Sequence, residues 1–303
     1  MQTQLAGLWP PASTPFANDG SVDKARLVSH CRTLLDEGST GLAILGTTSE
    51  ANSLTLDERR GVIEACVDAG IPATQLLPGT GACAIDDAAA LTRYAGELGC
   101  AGVLLLPPFY YKNLSDDGIF AFIAKVIERA GPKVPQIMLY HFPQMAAAGF
   151  SIPLIGRLIK AFPGVVVGMK DSSGDAANTK AVIEAYPDFA VFPGAEVYLL
   201  PALQWGAAGC ISATANINAR GISDLIAKWK TPEAAALQEA LVAIRRSFDG
   251  FVTVPAVKAV VAAKYRDDVW RNVRPPNLPL TETERQTLLA KPAVAALLEA
   301  VAA

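Results

Sequence analysis

The chain has 303 residues, 51% hydrophobic and 18% charged, with 26 basic against 29 acidic side chains and a formal net charge of −3. Such a composition describes an ordinary well-packed protein, and its interspersed charges provide no basic block to neutralise a run of phosphates, which excludes nucleic acid as a partner. No stretch approaches roughly 18 uninterrupted apolar residues, which excludes a membrane span. The amino-terminal run MQTQLAGLWPPASTPF lacks the charged-then-apolar order of a leader, so the expected location is cytoplasmic.

In chain order, short apolar runs alternate with longer amphipathic ones, the pattern of repeated βα units around a parallel sheet. Strands are predicted at Gly7 to Thr14, Gly41 to Leu45, Gln75 to Gly79, Gly102 to Leu105, Gln136 to Tyr140, Val165 to Met169, Ala190 to Pro193 and Gly209 to Ser212. Between them, Ser21 is expected to start one helix, and Thr55 with Glu58 opens another through a capping box. Eight units require about 200–250 residues, so an α/β (βα)8 TIM barrel is expected over residues 1–228 and to carry the active site. Residues 229–303 read as a C-terminal helical extension packed on it. There Thr231 is expected to cap a helix with Pro232 at its first position, VPAVKAVVAAKY continues as helix, and Thr281 with Glu284 forms a second capping box.

The five cysteines (Cys31, Cys66, Cys83, Cys100, Cys210) are scattered and show no CxxC, and the two histidines (His30, His141) form no HExxH. Neither a disulfide framework nor a metal is expected. In a barrel of this kind the site lies at the C-terminal ends of the strands, where the second strand runs into GTTSE, the fifth into LYHFP and the sixth into GMKDSSG. Lys170 follows VVVGM, at a mouth where a charge is costly, and a neutral amine there attacks a ketone to give a Schiff base. The alternative reading pairs it with Asp171. Tyr140 ends the neighbouring strand and either shuttles protons or anchors a loop. Gly46, Thr47 and Thr48 offer hydroxyls and backbone N–H groups that suit a small carboxylate, or ordinary turn chemistry.

Taken together, GTTSE, PPFYYK, LYHFP, GMKDSSG and GCISATAN resemble the dihydrodipicolinate synthase and N-acetylneuraminate lyase family, in the same order and at the same strand ends. The resemblance implies a (βα)8 barrel with helical extension, commonly a homotetramer, acting on pyruvate or a 2-oxo acid plus an aldehyde without metal or organic cofactor. It also implies roles. Lys170 forms the imine, Tyr140 shuttles protons, Thr47 relays to it, Thr48 meets the pyruvate carboxylate, and Tyr110 reaches across a subunit interface into the neighbouring site.

The pattern also departs from the family. Met145 stands where the synthases carry an arginine for the semialdehyde carboxylate, and Ala195-Glu196 and Ala213 stand where the sialic acid lyases bind a polyol. Ser49 replaces a glycine and His141 an asparagine. Met145, Glu196, His141 and Phe142 suggest a less polar pocket, with Ile211 beside it; Met145 alternatively fills core, and His141 suits packing or supporting hydrogen bonds better than acid–base work. The expected activity is therefore a lyase or aldolase on a 2-keto-3-deoxy sugar acid or a bulkier 4-substituted 2-oxo acid. Alternatives are a 4-hydroxy-tetrahydrodipicolinate synthase with an altered semialdehyde site, a related dehydratase, a barrel that senses a 2-oxo acid, and a phosphate-binding isomerase. The last lacks a lysine or arginine near PGAEVYLL and GCISATAN.

Overall fold

The computed structural model describes residues 5–302, so the first four residues of the amino-terminal run lie outside it. Six segments are regular strands: β1 (Gly7–Leu8), β2 (Val103–Leu105), β3 (Ile137–His141), β4 (Val166–Asp171), β5 (Ala190–Pro193) and β6 (Gly209–Cys210). Every named pair among them is parallel, in the orders β2-β3-β4-β5 and β1-β6. The predicted second and third strands are extended but irregular, joined by single parallel bridges Leu42↔Leu76 and Gly79↔Leu104. Backbone bonds close the remaining gaps. Thr40 N–H donates to Leu8 O at 2.9 Å, Leu77 N–H to Leu42 O at 2.9 Å, Leu104 N–H to Pro78 O at 2.9 Å and Ala208 N–H to Val191 O at 2.9 Å. The eight segments thus form one closed (βα)8 barrel.

Helices surround it: α1 (Lys24–Asp36), α2 (Leu56–Asp68), α3 (Ile85–Glu97), α4 (Asp116–Ala130), the short α5 (Pro143–Ala146), α6 (Ile152–Ala161), α7 (Ala176–Ala185), α8 (Leu199–Trp205) and α9 (Ala215–Lys228). Four more follow, α10 (Ala234–Arg246), α11 (Thr253–Tyr265), α12 (Glu282–Leu289) and α13 (Pro292–Ala302). Among the described residues no helix is long and apolar enough to cross a membrane.

Both expected capping boxes are present, at Thr55/Glu58 and Thr281/Glu284. Two caps differ from expectation. The α1 cap is Asp23, whose carboxylate accepts from Arg26 N–H, while the Ser21 hydroxyl donates to Asp19. Glu233, not Thr231, precedes α10, and the Thr231 hydroxyl instead donates to Lys228 O at the end of α9.

Strand alternation sorts the core into layers. Leu104, Met138, Ala190, Phe192 and Ile211 pack together inside the barrel, whereas Val103, Leu105, Ile137, Leu139, Met169 and Val191 face the helices. The C-terminal helices share a separate cluster around Val257, Val260, Val261, Trp270 and Leu288. Gly168 is a required close approach: a Cβ there would stand 2.4 Å from Ala190 O.

Candidate active site

Alternation along β3 and β4 decides what faces the barrel axis. Met138 is interior, so Tyr140, two residues on, points the same way, and parallel register sets it opposite Lys170. Lys170 Nζ donates to Tyr140 Oη at 3.2 Å, and Tyr140 Oη lies 3.2 Å from Thr47 Oγ1. The amine also sits 4.3 Å from the Tyr140 ring centre. Phe142 stacks on that ring at 5.8 Å and limits its swing. Lys170 is buried, as is Thr48.

The same alternation separates Lys170 from Asp171. Asp171 points outward beneath α7, where its carboxylate accepts from Ser173 N–H (2.9 Å), Asn178 Nδ2 (2.9 Å) and Thr179 Oγ1 (2.7 Å). Asp171 therefore anchors the β4–α7 turn, and no ion pair joins it to Lys170 among the described residues.

Thr47 and Thr48 ride on a tight loop. Leu45 and Glu50 both adopt left-handed conformations, with φ of 59° and 55°, and Glu50 N–H donates to Thr47 O at 3.0 Å. For a leucine and a glutamate that geometry costs energy and persists only if surrounding contacts over-determine it. Ser49 is one such contact: its hydroxyl donates to Ala12 O at 2.6 Å and its carbonyl accepts from Thr14 Oγ1 at 2.8 Å. Ser49 thus faces the β1 loop, away from the cleft. Glu50 is the other. Its carboxylate meets Lys258 of α11 at 2.5 Å with both side chains fully buried, and it accepts from Arg274 N–H at 2.9 Å. Burial pulls the Lys258 ammonium down to about 8, against the opposing pull of Glu50.

These groups open into a cleft of about 420 Å³ lined by Thr47, Thr48, Tyr140, Lys170, Met145 and Phe142, with Tyr198, Ala195 and Ala213 on the far wall. Burial pushes the Tyr198 phenol up to about 12, so it stays protonated at neutral pH. The remaining wall comes from the C-terminal helices and their loops: Arg245, Val252, Thr253, Val254, Pro276 and Asn277. Inspection of strand ends could not find those six, because no strand carries them.

The other expected site residues lie elsewhere. Glu196 is buried behind the wall, its two oxygens taken by the Ser212 and Thr214 hydroxyls. Ile211 belongs to the barrel interior, and Gly46 backs Thr47 and Tyr140 in a small adjoining hollow. His141, next to Tyr140 on β3, points out of the barrel. Its Nδ1 accepts from Phe150 N–H at 2.9 Å, and burial lowers its pKa, which leaves a neutral ring supporting the α5–α6 loop. Met145 is 61% exposed at the rim of the cleft, so it does not fill core. Tyr110 is 73% exposed and stands apart from the cleft of its own chain. Among the described residues no group of three or more His, Cys, Asp or Glu side chains could hold a metal ion.

The dihydrodipicolinate synthetase family model matches residues 4–294. The chain is 35% identical over 282 residues to an uncharacterized DapA-like lyase of Chloroflexus aurantiacus, covering 91% of this chain and 92% of that one. It is 36% identical over 211 residues to the 4-hydroxy-tetrahydrodipicolinate synthase of Thermus thermophilus, covering 69% of each. Among solved structures, dihydrodipicolinate synthase from Agrobacterium tumefaciens superposes with a TM-score of 0.89 at 31% identity, over 97% of this chain and 99% of that one. YagE of Escherichia coli K12, a family member solved in complex with pyruvate, gives 0.88 at 25% identity, over 97% and 99% of the two chains. Matched over nearly its whole length, the chain belongs to the dihydrodipicolinate synthetase family and is a lyase.

Proposed function

We propose that the chain is a class I aldolase that makes or breaks a carbon–carbon bond between pyruvate, or a related 2-oxo acid, and an aldehyde through an imine on Lys170. The observation that carries this reading is the unbroken contact path Thr47–Tyr140–Lys170 on the floor of the cleft. The Lys170 amine adds to the ketone carbon, and Tyr140 delivers a proton to the carbinolamine oxygen, which leaves as water. The resulting iminium withdraws electrons from C3, so loss of a C3 proton, or cleavage of the C3–C4 bond, gives an enamine. Thr47 holds the phenol in line and passes its proton on. Thr48 and the adjoining backbone suit the substrate carboxylate. His141, Glu196, Ile211 and Gly46 act only through the groups they hold in place.

A second reading, 4-hydroxy-tetrahydrodipicolinate synthase, draws on the names of the Thermus and Agrobacterium relatives. Against it, Met145 supplies no cation where the synthases place one. An assay with pyruvate and aspartate semialdehyde separates the two. The proposal includes a cytoplasmic homotetramer in which Tyr110 completes a neighbour's site; the high exposure of this ring supports that role. It also takes residues 1–228 as the barrel and 229–303 as an extension that lends one wall to the cleft.

The test is intact mass after incubation with pyruvate and sodium borohydride. An adduct of one reduced pyruvate, absent from Lys170→Ala, is expected; wild-type protein that stays unlabelled overturns the reading.

A further inference from the structure

The cleft is far roomier than a three-carbon 2-oxo acid requires, and its charges are unevenly matched. Among the described residues two basic ones line it, Lys170 and Arg245, and the carboxylates of the lining residues Glu50 and Asp171 turn to partners outside it. Glu50 is neutralised by Lys258, Asp171 is satisfied by Ser173, Asn178 and Thr179, and Lys170 contacts Tyr140. Arg245, in the last turn of α10, is half-buried, yet its guanidinium has no hydrogen-bond or ion-pair partner among the described residues. The adjacent Arg246 is simply exposed. Two other arginines packed into the fold, by contrast, have several partners each. Arg274 binds Glu58, Gly20 O and Ser53 O, and Arg59 binds Ala51 O, Gly81 O and Asn52.

Among the described residues Arg245 is thus the one basic side chain of the cleft besides Lys170, and Val252, Val254, Met145 and Phe142 line the same cleft. A guanidinium with no protein partner at that position is available for a charge-assisted contact with an anion. Close by, the backbone N–H groups of Thr253 and Val254 at the start of α11 donate to no acceptor among the described residues, because Val252 provides no side-chain cap. They add donors of the same sign.

We propose that Arg245 receives an anionic group at the end of the aldehyde partner remote from its carbonyl. The substrate class is then an aldehyde carrying a distal carboxylate or phosphate on a largely apolar body, equivalently a 4-substituted 2-oxo acid with a second anionic terminus. This rests on the imine reading. Lys170 fixes one end of the substrate and Arg245 selects the other, so Arg245 sets specificity and takes no part in forming the imine.

The experiment uses full-length protein whose Lys170–pyruvate imine has been reduced with borohydride, with extent of labelling checked by mass. Calorimetry then measures binding of two matched pairs, succinic semialdehyde against butanal and glyceraldehyde 3-phosphate against glyceraldehyde. For wild type, at least one anionic member is expected to bind about 10- to 100-fold more tightly than its neutral partner. Arg245→Met should erase that preference and Arg245→Lys keep part of it, while all three label equally with pyruvate. Preference in the first pair alone assigns a carboxylate, in the second alone a phosphate. Equal binding within both pairs, or a preference that survives Arg245→Met, overturns the assignment and leaves the lyase standing. Failure of wild type to label removes the lyase reading and this proposal with it.

Discussion

The two ends of the barrel each hold a cavity, and the larger one is chemically quiet. Beyond the N-terminal ends of β3, β4 and β5 lies a hollow of about 550 Å³ lined by Leu5, Ile159, Val166, Val167, Pro187 and Phe189, whose tyrosine, Tyr186, already donates to Ile152 O at 2.8 Å. At the other end the smaller cleft gathers the lysine, tyrosine and threonine hydroxyls. The ends also differ in what holds them. The mouth is braced by buried polar groups: Glu50 with Lys258, Asp171 with Thr179, and His30 with Asn216 at 2.8 Å and Tyr265 at 2.7 Å. Loops that present functional groups leave backbone amides and carbonyls needing partners, so buried polar side chains are the scaffold of a mouth, whereas apolar packing suffices elsewhere.

That contrast can be sharpened by experiment. Tyr140→Phe removes the phenol between Lys170 and Thr47 and is expected to lower kcat/KM by about 10²–10⁴ while leaving thermal stability within about 1 kcal/mol; steady-state kinetics and melting together check this. Lys258→Met leaves Glu50 buried without its cation and should cost about 3–5 kcal/mol in urea unfolding, with Glu50→Gln added in the double variant recovering part of it. Equal stability of the single variant would mean that the pair does not brace the Thr47 loop.

Acid should attack the mouth too. Burial lowers the His30 pKa to about 4 from an ordinary value of 6.5, with Lys264 adding to the effect and the Asn216 bond opposing it. A histidine held neutral in the fold takes up a proton more readily once unfolded. Its contribution is therefore intact above pH 6.5, and declines by roughly 3 kcal/mol as pH falls towards 4. Unfolding midpoints of wild type and His30→Gln, compared between those pH values, should converge on acidification; parallel slopes would exclude His30 as the acid-sensitive brace. The smallest effect belongs to the quiet end. Tyr186→Phe should cost about 1 kcal/mol for its lost hydrogen bond and leave kcat/KM unchanged, and a fall in activity there would break the distinction between the two ends.

Much of this was legible in the residues. The βα alternation gave the barrel, and the strand-end rule pointed to GTTSE, LYHFP and GMKDSSG, from which Thr47, Tyr140 and Lys170 converge. The side-chain period of a strand accounts for Lys170 and Asp171 facing opposite ways, although the sequence reading left their pairing open. Less legible were the segments around Leu42 and Leu76, where only single bridges form, and the caps at Asp23 and Glu233, where neighbouring hydroxyls found other acceptors.

What the sequence determined by itself is local: the periodicity of each element, the caps at Thr55 and Thr281, and the residues that end each strand. Only the tertiary structure decided which polar side chains reach the cleft. Glu196 and His141 sit one or two positions from lining groups yet turn to buried partners, while Arg245 and Thr253 arrive from helices far along the chain. The reason is physical. Facing is set locally by the backbone period, but proximity across a chain of this length is set by how the layers pack, and no local pattern encodes that contact.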